Sequence, residues 1–186
     1  MRLETAEDHA RVEGLLPLTS DKLTQTVYTA MLRRLFGFIQ GWELWAERAA
    51  PPALRSMLQQ RCRSRLLEAD LRHFGQSLPQ AVHQRPQAQA VSLPEFLGIM
   101  YVIEGSTLGG QYIARHVEKL FNLQPGQGDA YFRGYGEHTG QMWNEFKAEL
   151  ERLPDADLPH VSAAARQTFR DFESWMEPAA WEGPHL

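Results

Sequence analysis

Two short stretches of the chain hold residues whose types and spacing suit chemistry. Near the N-terminus, Arg2, Thr5, His9 and Glu13 recur at intervals of three and four, which on a helix puts them on one face. A histidine can ligate a metal or a haem iron through one ring nitrogen while the other donates to a carboxylate. Glu13, one turn after His9, has the spacing for that carboxylate, although an ordinary surface His–Glu pair at i, i+4 has the same spacing. About a hundred residues later, Glu-Gly-Ser-Thr-Leu-Gly-Gly-Gln spans residues 104–111. Apolar helical pattern flanks it on both sides, and each glycine inside a helix costs roughly 1 kcal/mol relative to alanine. Gly105 and Gly109 are four apart and share a face, with Gly110 beside them, so together they open a strip of bare backbone. Such a strip serves a second helix in close contact, a kink, or a flat ligand lying against the helix.

These residues need helices to present them, and the chain is rich in helix formers. It contains 23 Leu and 20 Ala against 7 Val and 4 Ile, a balance that favours helix over strand. The first helix is expected over Arg2–Leu15. A second follows the capping cluster Thr19-Ser20-Asp21 and carries Leu23, Val27, Met31, Leu35 and Phe38 at helical spacing. It continues to about Ala49, with Gly37 and Gly41 as candidate kinks. A third starts at Pro51-Pro52 and runs through Leu54, Leu58, Leu66 and Leu71 to Gly75. Residues 76–90 turn polar and read as a surface loop. Ser92-Leu93-Pro94-Glu95 is a capping box that opens a helix running through the glycine cluster to Phe121. Pro125–Gly128 is a turn, and helices around Glu137–Leu153 and Leu158–Met176 complete the domain. The expectation is an all-α, single-domain bundle of six to eight helices over residues 1–176, with a loose C-terminal tail over 177–186.

Charge and cysteine usage exclude several classes of function. The 186 residues carry a net charge of −4, which argues against a strongly basic nucleic-acid binder. The one cysteine, Cys62, rules out an internal disulfide and a cysteine-based zinc site and suits a cytoplasmic protein. Its flanking arginines, on an apparently amphipathic helix, are of the kind that lower a thiol pKa. No apolar run reaches the roughly 18 residues of a membrane span, and the acidic N-terminus is unlike a signal peptide. The remaining histidines show no metal-binding spacing.

Taken together, the two stretches resemble the haem oxygenase family. Leu-Glu-Thr-Ala-Glu-Asp-His-Ala-Arg-Val-Glu, residues 3–13, is similar to that family's proximal helix. There a threonine precedes the haem-ligating histidine by four and a glutamate follows it by four. Residues 101–111, Tyr-Val-Ile-Glu-Gly-Ser-Thr-Leu-Gly-Gly-Gln, resemble its distal helix, where glycines let the backbone approach the haem face. Residues 65–75, 132–137 and 143–146 add to the resemblance, which is closest to the bacterial branch that supplies biliverdin to bacteriophytochromes.

The resemblance implies that haem b, both substrate and cofactor, lies between the first helix and a glycine-kinked distal helix. His9 would be the axial ligand to the haem iron, with Glu13 behind it. Gly105, Ser106, Gly109 and Gly110 would form the catalytic distal surface. Arg2, Tyr101 and Lys147 would be partners for the haem propionates. The implied products are biliverdin, CO and ferrous iron. Electrons would come from an external donor such as ferredoxin or a reductase, and a bacteriophytochrome would receive the biliverdin. Mammalian-type members carry an aspartate where this chain has Ser106. A serine can hold a water but is a poor acid near neutral pH, so either another water network delivers protons or turnover is slow and leaks peroxide. That departure also keeps open a non-degrading haem carrier or sensor on the same fold. Two further alternatives are a thiaminase-like enzyme, which would need Cys62 as nucleophile, and a helical interaction module, which would have no use for the glycine strip.

Overall fold

The computed structural model describes residues 5–80 and 91–177. Arg2, residues 81–90 of the expected 76–90 loop, and all of the tail except Glu177 lie outside the described residues. Within them are seven α-helices and no strand: α1 (Ala6–Leu15), α2 (Gln25–Ala49), α3 (Arg55–Gln59), α4 (Ser64–His73), α5 (Leu93–Phe121), α6 (Thr139–Glu151) and α7 (Leu158–Met176). Single 3-10 turns precede α3, α6 and α7.

The central pair is α5 and α7. Gly98 permits their close approach, because a Cβ there would lie 2.3 Å from the Val161 carbonyl oxygen and 2.9 Å from the Ala164 Cβ. The core around them draws Phe36, Phe38, Ile39 and Trp42 from α2, Phe96 and Met100 from α5, Phe146 from α6 and Val161 from α7. The α5 start is the expected capping box: Ser92 Oγ accepts from the Glu95 N–H, and a Glu95 carboxylate oxygen accepts from the Ser92 N–H at 2.9 Å. The helix ends at Asn122, whose φ of 53° lets its N–H reach back to the Glu118 carbonyl.

Several expectations are corrected. The second helix begins at Gln25, because Thr24 rather than the Thr19–Asp21 cluster caps it: the Thr24 hydroxyl accepts from the Val27 N–H at 3.2 Å. It then runs unbroken through Gly37 and Gly41, both of which are buried. The expected third helix is two helices, α3 and α4. Between them the chain turns Arg61 and Arg63 into the core, and Glu43 of α2 accepts the N–H groups of Arg63 and Ser64 at 2.6 and 3.0 Å. Cys62 therefore sits on the exposed side of this break, with its thiol pKa raised by partial burial and by Glu43 rather than lowered. The distal helix α5 is also continuous across its glycines.

The segment 128–136, between α5 and α6, folds back against α5. Asp70 of α4 is fully buried and accepts the Ala130 and Tyr131 N–H groups at 2.8 and 2.9 Å. Burial pushes its carboxyl up to about 6, and these same hydrogen bonds limit the rise. Tyr28 fastens the start of the segment by donating to the Gly128 carbonyl at 2.8 Å.

Candidate functional site

Helix α1 has only ten residues, too few to be stable alone in water, and it is held by docking on α7. Arg11 donates to Glu173 at 2.8 Å, and the buried Asp8 pairs with Arg11 and lies 3.9 Å from Arg166. Docked this way, α1 turns His9 and Glu13 outward, with side chains 57% and 71% exposed. Thr5 is buried below them, and its carbonyl accepts the His9 N–H at 3.0 Å. The His9 Nδ1 lies 3.5 Å from a Glu13 carboxylate oxygen, and the ring stands edge-on to Phe169 of α7 at 6.3 Å. That arrangement sets the carboxylate beside Nδ1 and leaves Nε2 as the ring nitrogen able to ligate.

The three glycines of the 104–111 stretch of α5 prove to be different from one another. A Cβ on Gly109 would have no neighbour within 4 Å, and one on Gly105 would meet only the rim of Trp143 at 3.8 Å. A Cβ on Gly110 would lie 2.3 Å from the Phe132 carbonyl oxygen. Gly105 and Gly109 thus present open backbone, whereas Gly110 faces the 128–136 segment and lets that segment approach. Tyr101 is one turn before Gly105, and its ring lies 5.7 Å from that of Trp143. Lys147 is one turn after Trp143 on α6 and is half-buried. The structure therefore brings Tyr101, Gly105, Trp143 and Lys147 to one region where α5 meets α6. Both α1 and α5 pack on α7 and make little direct contact with each other. A flat, largely apolar group with an iron centre and peripheral carboxylates fits these residues: an exposed imidazole backed by a carboxylate, open backbone at Gly109 with only a Trp143 edge near Gly105, and an adjacent aromatic and basic edge.

Ser106 is exposed, and its hydroxyl donates to the Ile103 carbonyl at 2.7 Å. Beneath this part of α5 lies a charged network that sequence reasoning missed. Arg61 and Glu104, each with side chain 1% exposed, form an ion pair; Tyr135 donates to the same carboxylate at 2.8 Å, and Arg61 donates to the Met142 carbonyl at 2.9 Å. Burial and then the nearby Glu104 carboxylate keep the Tyr135 phenol protonated, with its pKa well above the ordinary value, while the Arg63 and Arg61 guanidiniums oppose the rise. Arg63 donates to the Ile103 carbonyl at 2.7 Å. The arginines are about forty residues from their partners, and nothing in the local pattern of residues 61–63 distinguishes them from solvated side chains. Removing one member of a buried pair leaves the other charge uncompensated, at a cost of about 3–5 kcal/mol. Glu104→Ala is expected to lose stability on that scale in urea unfolding, and a loss under about 1 kcal/mol would contradict this account of the pair.

No described helix is long and apolar enough to cross a membrane. The model of the family described as "Heme oxygenase" matches residues 1–178. A heme oxygenase of Xanthomonas campestris pv. campestris is 35% identical over 140 residues, covering 74% of this chain and 80% of that protein. Two solved structures share the fold. The NO- and CO-bound heme oxygenase of Neisseria meningitidis superposes with a TM-score of 0.72 over 98% of this chain and 90% of its own, at 17% identity. The heme oxygenase of Leptospira interrogans does so with a TM-score of 0.71 over 92% and 94%, at 18% identity. The described helices, the matched family and the relative at 35% identity agree, and the chain belongs to the haem oxygenase family, whose members are haem-degrading oxidoreductases.

Proposed function

We propose that the protein cleaves haem, using O2 and externally supplied electrons, to biliverdin, CO and ferrous iron. The observation that carries this reading is the outward-facing His9 ring, with Glu13 at Nδ1, combined with the open backbone at Gly109. When bound, haem supplies both the iron at which O2 is activated and the ring that is cut.

The chain's own residues bind and orient. His9 would hold the haem iron through Nε2, and Glu13 would keep the imidazole in the orientation that frees that nitrogen. Gly105 and Gly109 keep side chains off the open face of α5, so that a small ligand there would meet main chain. Tyr101 and Lys147 offer a hydroxyl and an ammonium to the carboxylates at the ring edge, and Arg2 is the further basic partner that the sequence suggests. Ser106 brings a hydroxyl to the open face of α5. Gly110 contributes indirectly, by admitting the segment that carries Tyr131 and Tyr135.

The acidic balance of the chain and its one cysteine support a cytoplasmic setting. A ferredoxin or reductase as donor, and a bacteriophytochrome as recipient of the product, follow from the sequence resemblance. Hemin added to the purified protein should give a sharp Soret band. With O2 and a reductant, that band should give way to biliverdin absorbance with release of CO. A Soret band that persists unchanged through turnover conditions would replace this reading with that of a non-degrading haem carrier.

A further inference from the structure

The Ile103 carbonyl has more donors than it can satisfy. A carbonyl oxygen offers two lone pairs. Ile103 lies within α5, so its carbonyl takes the regular helical bond from the Thr107 N–H. It also receives the Arg63 guanidinium at 2.7 Å and the Ser106 hydroxyl at 2.7 Å. The three donors are not equally held. The Thr107 N–H is fixed by the helix. The Arg63 guanidinium is fully buried and stacked 5.1 Å from the Tyr131 ring and 5.6 Å from the Tyr135 ring, and a charged donor makes the stronger bond. The Ser106 hydroxyl is neutral, free to rotate and exposed. With its inward acceptor shared with a charged donor, the Ser106 proton is the one that yields. Gly109, three residues on, leaves the adjoining face of α5 open.

We infer that Arg63 is a positioning residue: by competing for the Ile103 carbonyl it loosens the bond that the Ser106 hydroxyl makes there, so that the hydroxyl turns outward to donate to a small ligand seated on the open face of α5. The inference rests on the haem reading above. It assigns to a buried arginine of the α3–α4 connection the control of the hydroxyl that stands where related proteins carry an acid.

Carbon monoxide on the ferrous, haem-loaded protein reads this directly, because a donor at its oxygen lowers the C–O stretching frequency. Ser106→Ala and Arg63→Met are each expected to move the stretch to higher wavenumber. The double variant is expected to move it no further than Ser106→Ala alone, since Arg63 acts through Ser106. Arg63→Lys, which keeps a charged donor, is expected to restore the wild-type value. Ser106 is exposed, so Ser106→Ala folds whatever the cost of altering Arg63, and an unchanged stretch in that variant would overturn the inference. So would additive shifts in the double variant. A wild-type protein that shows no Soret band would instead overturn the haem reading, and this inference with it.

Discussion

His9→Ala is expected to abolish haem turnover while leaving the protein folded. The imidazole faces mostly solvent: its side chain is 57% exposed, only its edge meets Phe169, and its partner Glu13 is more exposed still. An exposed pair of this kind contributes little to stability, so the variant should unfold within about 0.5 kcal/mol of wild type. The loss of iron ligation, by contrast, should be complete. Among the described residues, no other histidine belongs to α1. The expected result is loss of the sharp Soret band and of biliverdin formation, with partial recovery of the band on adding free imidazole, which can occupy the position vacated by the side chain. Wild-type spectra and turnover in His9→Ala would remove His9 from the site.

The second large effect separates two adjacent glycines. Gly109→Leu places a side chain in space that is empty in this structure and replaces a poor helix former with a good one. The fold should therefore survive and gain up to about 1 kcal/mol, while haem uptake or ligand binding is blocked. Gly110→Ala adds a single methyl group, but that group meets the Phe132 carbonyl oxygen at 2.3 Å. The segment carrying Phe132 cannot easily retreat, because Asp70 holds its main chain through Ala130 and Tyr131. Overpacking of this kind costs roughly 3 kcal/mol, a fall in Tm of about 10 °C for a chain of this length. A calorimetric scan paired with a hemin titration should thus show opposite patterns, with Gly109→Leu stable and inactive and Gly110→Ala destabilised first. Equal stability losses in the two variants would contradict the division of roles.

The residues that announce themselves locally are the ones the sequence made legible. The capping box Ser92–Glu95 marks the α5 start to the residue, and the His9–Glu13 spacing survives in three dimensions as a 3.5 Å approach. Features decided by distant partners were not legible. Leu54, Leu58, Leu66 and Leu71 keep a helical rhythm across residues 60–63, yet the helix breaks there because Arg61 and Arg63 find acceptors on α5 and Glu43 takes the freed N–H groups. Gly98 passed unremarked and Gly110 looked equivalent to Gly109. Each is required by a carbonyl more than twenty residues away. Thr24 caps α2 although the cluster at residues 19–21 carries the stronger local signal, because the chain first buries Leu23.

The central claim is that haem lies between the imidazole of α1 and the bare backbone of α5. A crystal structure of the haem-loaded protein tests it most directly. The account predicts His9 Nε2 on the iron and Gly105 and Gly109 against the opposite face of the ring. Iron held by any other side chain, or a haem lodged away from α5, would contradict it.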